Sequence, residues 1–148
     1  MRTLIKAGLL ATMLFAGAAS AQNTSPIGLW KTVDDETGKP KALVRITEEN
    51  GALQGKIEKL FRGPNEEQSP TCTACTDSRK NQPIVGMTIV SGLKKDGNEF
   101  TGGEILDPAK GKVYKSKATL REGGQRLEVR GYIGAPMFGR SQVWHREQ

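Results

Sequence analysis

The only two cysteines of this 148-residue chain, Cys72 and Cys75, stand in a C-x-x-C spacing inside the polar, turn-rich stretch Ser69–Pro83, "SPTCTACTDSRKNQP". That spacing serves three chemistries: thiol–disulfide exchange, half of a tetrahedral metal site, or a short disulfide that shapes a loop. Redox catalysis needs a thiolate stabilised at a helix N-terminus in a βαβ setting, and the sequence shows neither. Arg79 and Lys80 are the nearest cations, and they are ordinary loop residues. A structural zinc site needs four ligands, and the single histidine, His145, is the one further soft ligand. Attachment of a c-type haem requires histidine where Thr76 stands. No metal and no cofactor is implied.

The remaining polar groups make weak catalytic pairs. On an extended strand Glu104 and Asp107 point to opposite faces, and Asp107 before Pro108 suits an Asx-type turn. His145, the single histidine, sits on a terminal strand and reads as solvated. Any Ser/His/Asp arrangement would have to rely on that one histidine. Arg130 and Tyr132 share a strand face. Facing outward they are surface; turned inward by a bulge at Gly131, they grip an acidic headgroup. No catalytic residue is assigned, and a thiol redox enzyme is kept only as the last alternative.

The compartment is written at the other end of the chain. Arg2 and Lys6 form a positive n-region, Ala7–Ala18 is an apolar run too short to span a bilayer, and Ala19-Ser20-Ala21 is a small-residue cleavage site. Residues 1–21 read as a signal peptide, and residues 22–148 as one domain. Gln22 is not the cysteine that bacterial lipid attachment needs, and no later run is long enough for a transmembrane segment. The mature chain is therefore expected in the periplasm or secreted beyond it. An even cysteine count there makes a Cys72–Cys75 disulfide the default. Cleavage lowers the formal net charge from +6 to about +4, which permits contact with anionic envelope polymers. No basic patch interleaved with aromatics, phosphate-cradling glycine loop or internal repeat is present, so nucleic acid is not an expected partner.

The elements that must position these residues read as a meander. Strands are expected over Gly28–Val33, Ala42–Thr47, Ala52 towards Phe61, Ile84–Val90, Asn98–Leu106, Lys112–Arg121, Arg126–Ile133 and Arg140–Arg146, with Asn50-Gly51 as a tight hairpin turn. "IVGMTIV" (Ile84–Val90) is almost wholly apolar and is expected to be buried on most sides. Eight antiparallel strands remove their edges by closing, so the fold class is all-β, an up-and-down barrel of about eight strands. Its interior is either filled by side chains or open to one small ligand. The stretch Arg62–Pro83 is longer than a compact domain usually allows, and it is expected to arch over one mouth as a lid.

Gly28-Leu29-Trp30 on the first strand, with an arginine on the last, Arg140 or Arg146, resembles the lipocalin signature. There a tryptophan packs at the closed barrel end under a cation. A longer ordered set runs through Thr37-Gly38-Lys39, Cys72-x-x-Cys75, Pro83–Gly86, Gly102-Gly103, Asp107-Pro108, Gly111-Lys112-x-Tyr114, Arg130–Gly134, Phe138–Arg140 and Trp144-x-Arg146. With it, nearly the whole mature chain resembles a family of uncharacterised secreted bacterial proteins with lipocalin-like architecture. That resemblance implies a fold and a compartment but no activity. The expected function is a carrier or sensor for a small apolar or amphipathic ligand, with Tyr114, Arg130, Tyr132 and Phe138 as candidate contacts. The alternative is an envelope interaction protein with a side-chain-filled barrel and an envelope partner.

Overall fold

Alternation of inward apolar and outward polar residues runs through most of the strands and fixes the register, broken where Leu29 and Trp30, and Ile89 and Val90, are buried in succession. Ala42, Val44 and Ile46 are buried on the second strand, Leu53 and Ile57 on the third, Leu127 and Val129 on the seventh, and Trp144 on the last. The computed structural model describes residues 24–148; the segment read as a signal peptide lies outside the described residues. Its strands are β1 (Gly28–Val33), β2 (Pro40–Glu49), β3 (Ala52–Leu60), β4 (Thr88–Asp96), β5 (Glu99–Asp107), β6 (Lys112–Arg121), β7 (Arg126–Tyr132) and β8 (Gly139–Arg146). Each pairs antiparallel with its sequence neighbour, and β8 returns to β1, closing an eight-stranded up-and-down barrel. Asn50 and Gly51, both at positive φ, turn β2 into β3.

One expected strand is displaced. The apolar run Ile84–Val90 is not a strand from its start: β4 begins at Thr88 and continues to Asp96. Pro83 has no N–H to donate and bridges only to Thr71, and Gly86 at φ 91° breaks the extended path. The Met87 N–H donates to the Ile84 carbonyl across this turn. Ile84 and Met87 face the core while Val85 is exposed. Two apolar side chains reach the core from a turn as readily as from a strand, so the hydrophobicity of the run does not by itself place the strand.

The outer wall carries ion pairs, among them Arg45–Glu58, Lys117–Glu99 and Arg121–Glu128. Such a wall suits water and differs from the apolar band of a lipid-facing barrel. Among the described residues no helix is long and apolar enough to cross a membrane.

Closure is the delicate step. The β1–β8 seam has two register pairs, Trp30↔Arg146 and Lys31↔His145, the fewest of any seam. Arg146 reinforces it. Its guanidinium lies 4.3 Å from the Trp30 ring centroid. It donates from Nη2 to the Ser25 carbonyl (2.6 Å), from Nη1 to that of Ile27 (3.0 Å) and from Nε to that of Gly124 (2.7 Å). Burial pulls this guanidinium below its ordinary pKa, yet arginine stays charged in proteins. Trp30 is fully buried and donates its Nε1–H to the Pro26 carbonyl at 2.8 Å. Gly28 must be glycine, because a Cβ there would lie 2.3 Å from the Gln148 carbonyl oxygen and 2.7 Å from Arg146 Nη1. Arg140 does not share this role: it is at the opposite end of β8, where it meets Asp35 at 3.1 Å. Seven residues on the same strand reverse the end of the barrel a side chain serves.

Arg146→Ala is expected to cost about 3 kcal/mol in urea unfolding, with Arg146→Lys intermediate because a single ammonium nitrogen lacks the spread of the guanidinium fork that reaches carbonyls on separate segments. Wild-type stability in Arg146→Ala would mean that the backbone ladder alone closes the barrel.

Candidate functional site

The barrel end opposite Trp30 is where β2, β4, β6 and β8 begin, and it opens on a cavity of about 330 Å³. Its deeper wall is apolar, formed by Val44, Ile57, Ile89, Ile105, Val129 and Trp144. Trp144 donates its Nε1–H to Gln142 Oε1 at 3.2 Å, so the polar edge of the indole is satisfied inside the cavity. Tyr114, Tyr132 and Phe138 all lie in the lining. Gly131 leaves room among them, since a Cβ there would make only ordinary contacts, 3.4 Å to Ile105 and 3.5 Å to Tyr114.

Arg130, the fourth candidate contact, is not in the lining. The strand is not bulged at Gly131; β7 pairs continuously with β8 from Arg126 to Tyr132, so Arg130 stays on the outer face. There it clamps the β7–β8 connection. Its Nε donates to the Pro136 carbonyl (2.6 Å), Nη1 to Ser141 Oγ (3.0 Å) and Nη2 to the Gly139 carbonyl (3.3 Å).

The rim is cationic. Lys41, Arg62, Lys110 and Arg140 line the mouth; Asp107 is the carboxylate in the lining among the described residues, and Asp35 and Glu66 pair with Arg140 and Arg62 from outside it. Asp107 is already engaged, its Oδ1 accepting from the Ala109 N–H at 3.0 Å as the head of an Asx turn. Sequence reading missed this rim. Lys41 and Lys110 fall at strand ends and in a turn, where a lysine is ordinarily a solvated surface residue; only closure of the barrel brings them to one opening.

Residues 61–87 form one side of that opening. Arg62 and Ile84 reach the cavity lining, whereas Cys72 and Cys75 are joined in a disulfide and buried in the core behind it. The pair is wedged against the β5–β6 turn: Cys72 Sγ lies 3.6 Å from the Pro108 carbonyl oxygen, and a Cβ on Gly111 would lie 1.9 Å from the Ala74 oxygen. Backbone bonds from the Cys72 N–H to the Gln82 carbonyl (2.9 Å) and from the Asn81 N–H to the Cys72 carbonyl (2.8 Å) fold the stretch back on itself. Arg79 ties it to the barrel by donating to the Thr88 carbonyl at 3.0 Å and holds Asp77 alongside. Hydrogen bonds from Arg79, side chain first and then backbone, lower the Asp77 pKa from 3.8 to about 2. The cysteines thus buttress the wall and stay out of the lining. Among the described residues, no group of three or more His, Cys, Asp or Glu side chains could hold a metal ion.

A closed eight-stranded meander with a Trp–Arg plug at one end and an apolar cavity at the other is a lipocalin-like barrel. Residues 28–146 match the family described as "Uncharacterized protein conserved in bacteria (DUF2147)", and the chain belongs to that family. No curated protein matches it. Among solved structures it is similar to the Helicobacter pylori protein HP1028, described as belonging to the lipocalin family, with a TM-score of 0.70 and 18% identity over 84% of each chain. At that identity the likeness speaks for the fold.

Two outcomes check the buttress. Gly111→Ala combines a backbone clash with positive φ, and is expected to cost about 2 kcal/mol or more in unfolding and to speed reduction of the disulfide by dithiothreitol. Gly134→Ala also has positive φ but no atom within 4 Å, so it should cost about 1 kcal/mol and leave the reduction rate unchanged. Equal behaviour of the two variants would remove the contact with Ala74 from the account. Separately, a carboxyl NMR titration should place the Asp77 midpoint near 2, and Arg79→Ala should return it towards 3.8. Because the folded value is the lower one, the clamp contributes fully above pH 3.8 and is lost as pH falls through about 2. An ordinary midpoint in the wild type would contradict it.

Proposed function

We propose that this chain is an exported binding protein that holds one small apolar or amphipathic molecule in the open half of its barrel, as a carrier or sensor. The observation that carries the reading is the cavity itself: about 330 Å³, apolar in depth and cationic at the rim. That volume lies at the small end of ligand sites, so the occupant is a single short chain or a compact ring system. Tyr114, Tyr132 and Phe138 are the aromatic contacts, and Gln142 and Thr32 are polar groups within. Arg2, Lys6, the apolar run and the Ala19–Ala21 site support export to the periplasm or beyond, and the Cys72–Cys75 disulfide is at home there.

The cavity favours this reading over a side-chain-filled barrel that serves an envelope partner. Burial of both cysteines counts against thiol redox chemistry, which requires an accessible sulfur.

A fluorescent amphiphile such as an anilinonaphthalene sulfonate probe should bind the purified protein saturably and be displaced by unlabelled amphiphiles. Gly131→Val projects two methyl groups towards Ile105 and Tyr114 and should weaken binding about tenfold, while Gly131→Ala, which fits, changes it little. No saturable binding by folded wild type would sink the proposal.

A further inference from the structure

The largest exposed hydrophobic side chains gather at the mouth. Ile133, Met137 and Phe138, on the β7–β8 connection, are 65%, 76% and 68% exposed. Phe61 at the end of β3 and Val85 in the 61–87 segment add to the same end of the barrel. The tip is built to stay exposed. Beyond the three Arg130 bonds, the Ile133 N–H donates to the Phe138 carbonyl at 3.1 Å and the Phe138 N–H to the Ala135 carbonyl at 2.9 Å. Gly134 takes the positive φ that the turn requires. A chain that merely tolerated apolar residues in a loop would have no need to brace them outward.

Charge at this end selects what the tip meets. Lys39, Lys41, Lys110 and Lys112 carry no ion pair among the described residues. Most nearby acids are committed locally. Asp34 accepts from the Thr37 and Glu36 N–H groups, which hold its carboxyl below the usual carboxylate range, and Asp35 meets Arg140. Glu66 faces Arg62 and Asp77 faces Arg79. Lys59 lies 4.9 Å from the Phe61 ring centroid, an apolar group paired with a cation as at a membrane–water boundary.

We infer that the mouth docks on an anionic lipid surface, with Ile133, Met137 and Phe138 entering the interface and the free lysines meeting lipid phosphates. The inference rests on the reading of the cavity as an amphiphile site: Ile133 and Phe138 belong both to the exposed tip and to the cavity lining, so a docked barrel opens directly onto the layer from which such a ligand comes. A second copy fits less well, because a two-fold interface through this patch sets the same cations against one another.

The test is sedimentation of the purified protein with phosphatidylcholine vesicles, with and without about one-third phosphatidylglycerol. Lysines near an anionic surface strengthen binding, so partitioning should be at least about tenfold stronger to the anionic vesicles and should fall with added salt. Met137→Asp should reduce it about tenfold or more while leaving probe affinity unchanged, since Met137 is not in the cavity lining. Vesicle binding without probe binding would retain docking and remove the ligand reading. Probe binding without vesicle binding would overturn docking alone. Wild-type partitioning by Met137→Asp would overturn it, as would a concentration-dependent dimer that Met137→Asp dissolves and that leaves vesicles unbound.

Discussion

The whole barrel depends on one charged side chain at its shortest seam. β1 and β8 share two register pairs, and without more they would form the open edge that a meander must avoid. Arg146 bridges the gap with bonds to the carbonyls of Ser25, Ile27, Gly124 and Gln148 and a face laid on Trp30, while Gly28 supplies the clearance. The backbone adds three links, from the Leu29 N–H to the Gln148 carbonyl and from the Glu147 and Gln148 N–H groups to that of Leu29. Plugging one end has a consequence for the other. With the bulky indole and guanidinium placed at the Trp30 end, the interior near β6 and β7 holds small residues, Gly131 and Ala118, and the remaining space opens at the far mouth.

That mouth is then shaped by two braces. Gly111 lets the disulfide-bearing stretch seat against the β5–β6 turn, and Arg130 fixes the β7–β8 connection from outside the barrel. Neither touches the cavity, yet each holds a segment that lines it: Ile84 on one side, Ile133 and Phe138 on the other. The chemistry promised by C-x-x-C is thus structural, and the chemistry of the mouth lies in apolar surface ringed by cations.

How much of this was legible differs from residue to residue, for physical reasons. Alternation along Lys112–Arg121 and Arg126–Ile133 exposed the strands because half-buried strands have a period of two. The Gly28-Leu29-Trp30 motif marked the plugged end, but it left Arg140 and Arg146 undecided, since which end of β8 approaches Trp30 is a matter of register. The run at Ile84–Val90 misleads because hydrophobicity does not report extension: Gly86 turns the chain, with Ile84 and Met87 buried and Val85 exposed. Arg130 and Tyr132 share strand parity; the pairing keeps Arg130 on the outer face, bonded to Pro136 in the β7–β8 connection and to Ser141, its register partner on β8, while Tyr132 at the strand end still borders the cavity. The cationic rim draws on four separate segments and has no signature in any one of them.

The central claim, a barrel plugged at Trp30 and open to a ligand at the other end, is tested most directly by locating a bound amphiphile. With a nitroxide-labelled fatty acid and an isotope-labelled protein, paramagnetic broadening should concentrate on Ile105, Tyr114, Val129 and Gly131 and spare Trp30, Leu53 and Leu93. Broadening centred on the Trp30 end, or spread over the outer wall with the cavity residues untouched, would contradict it.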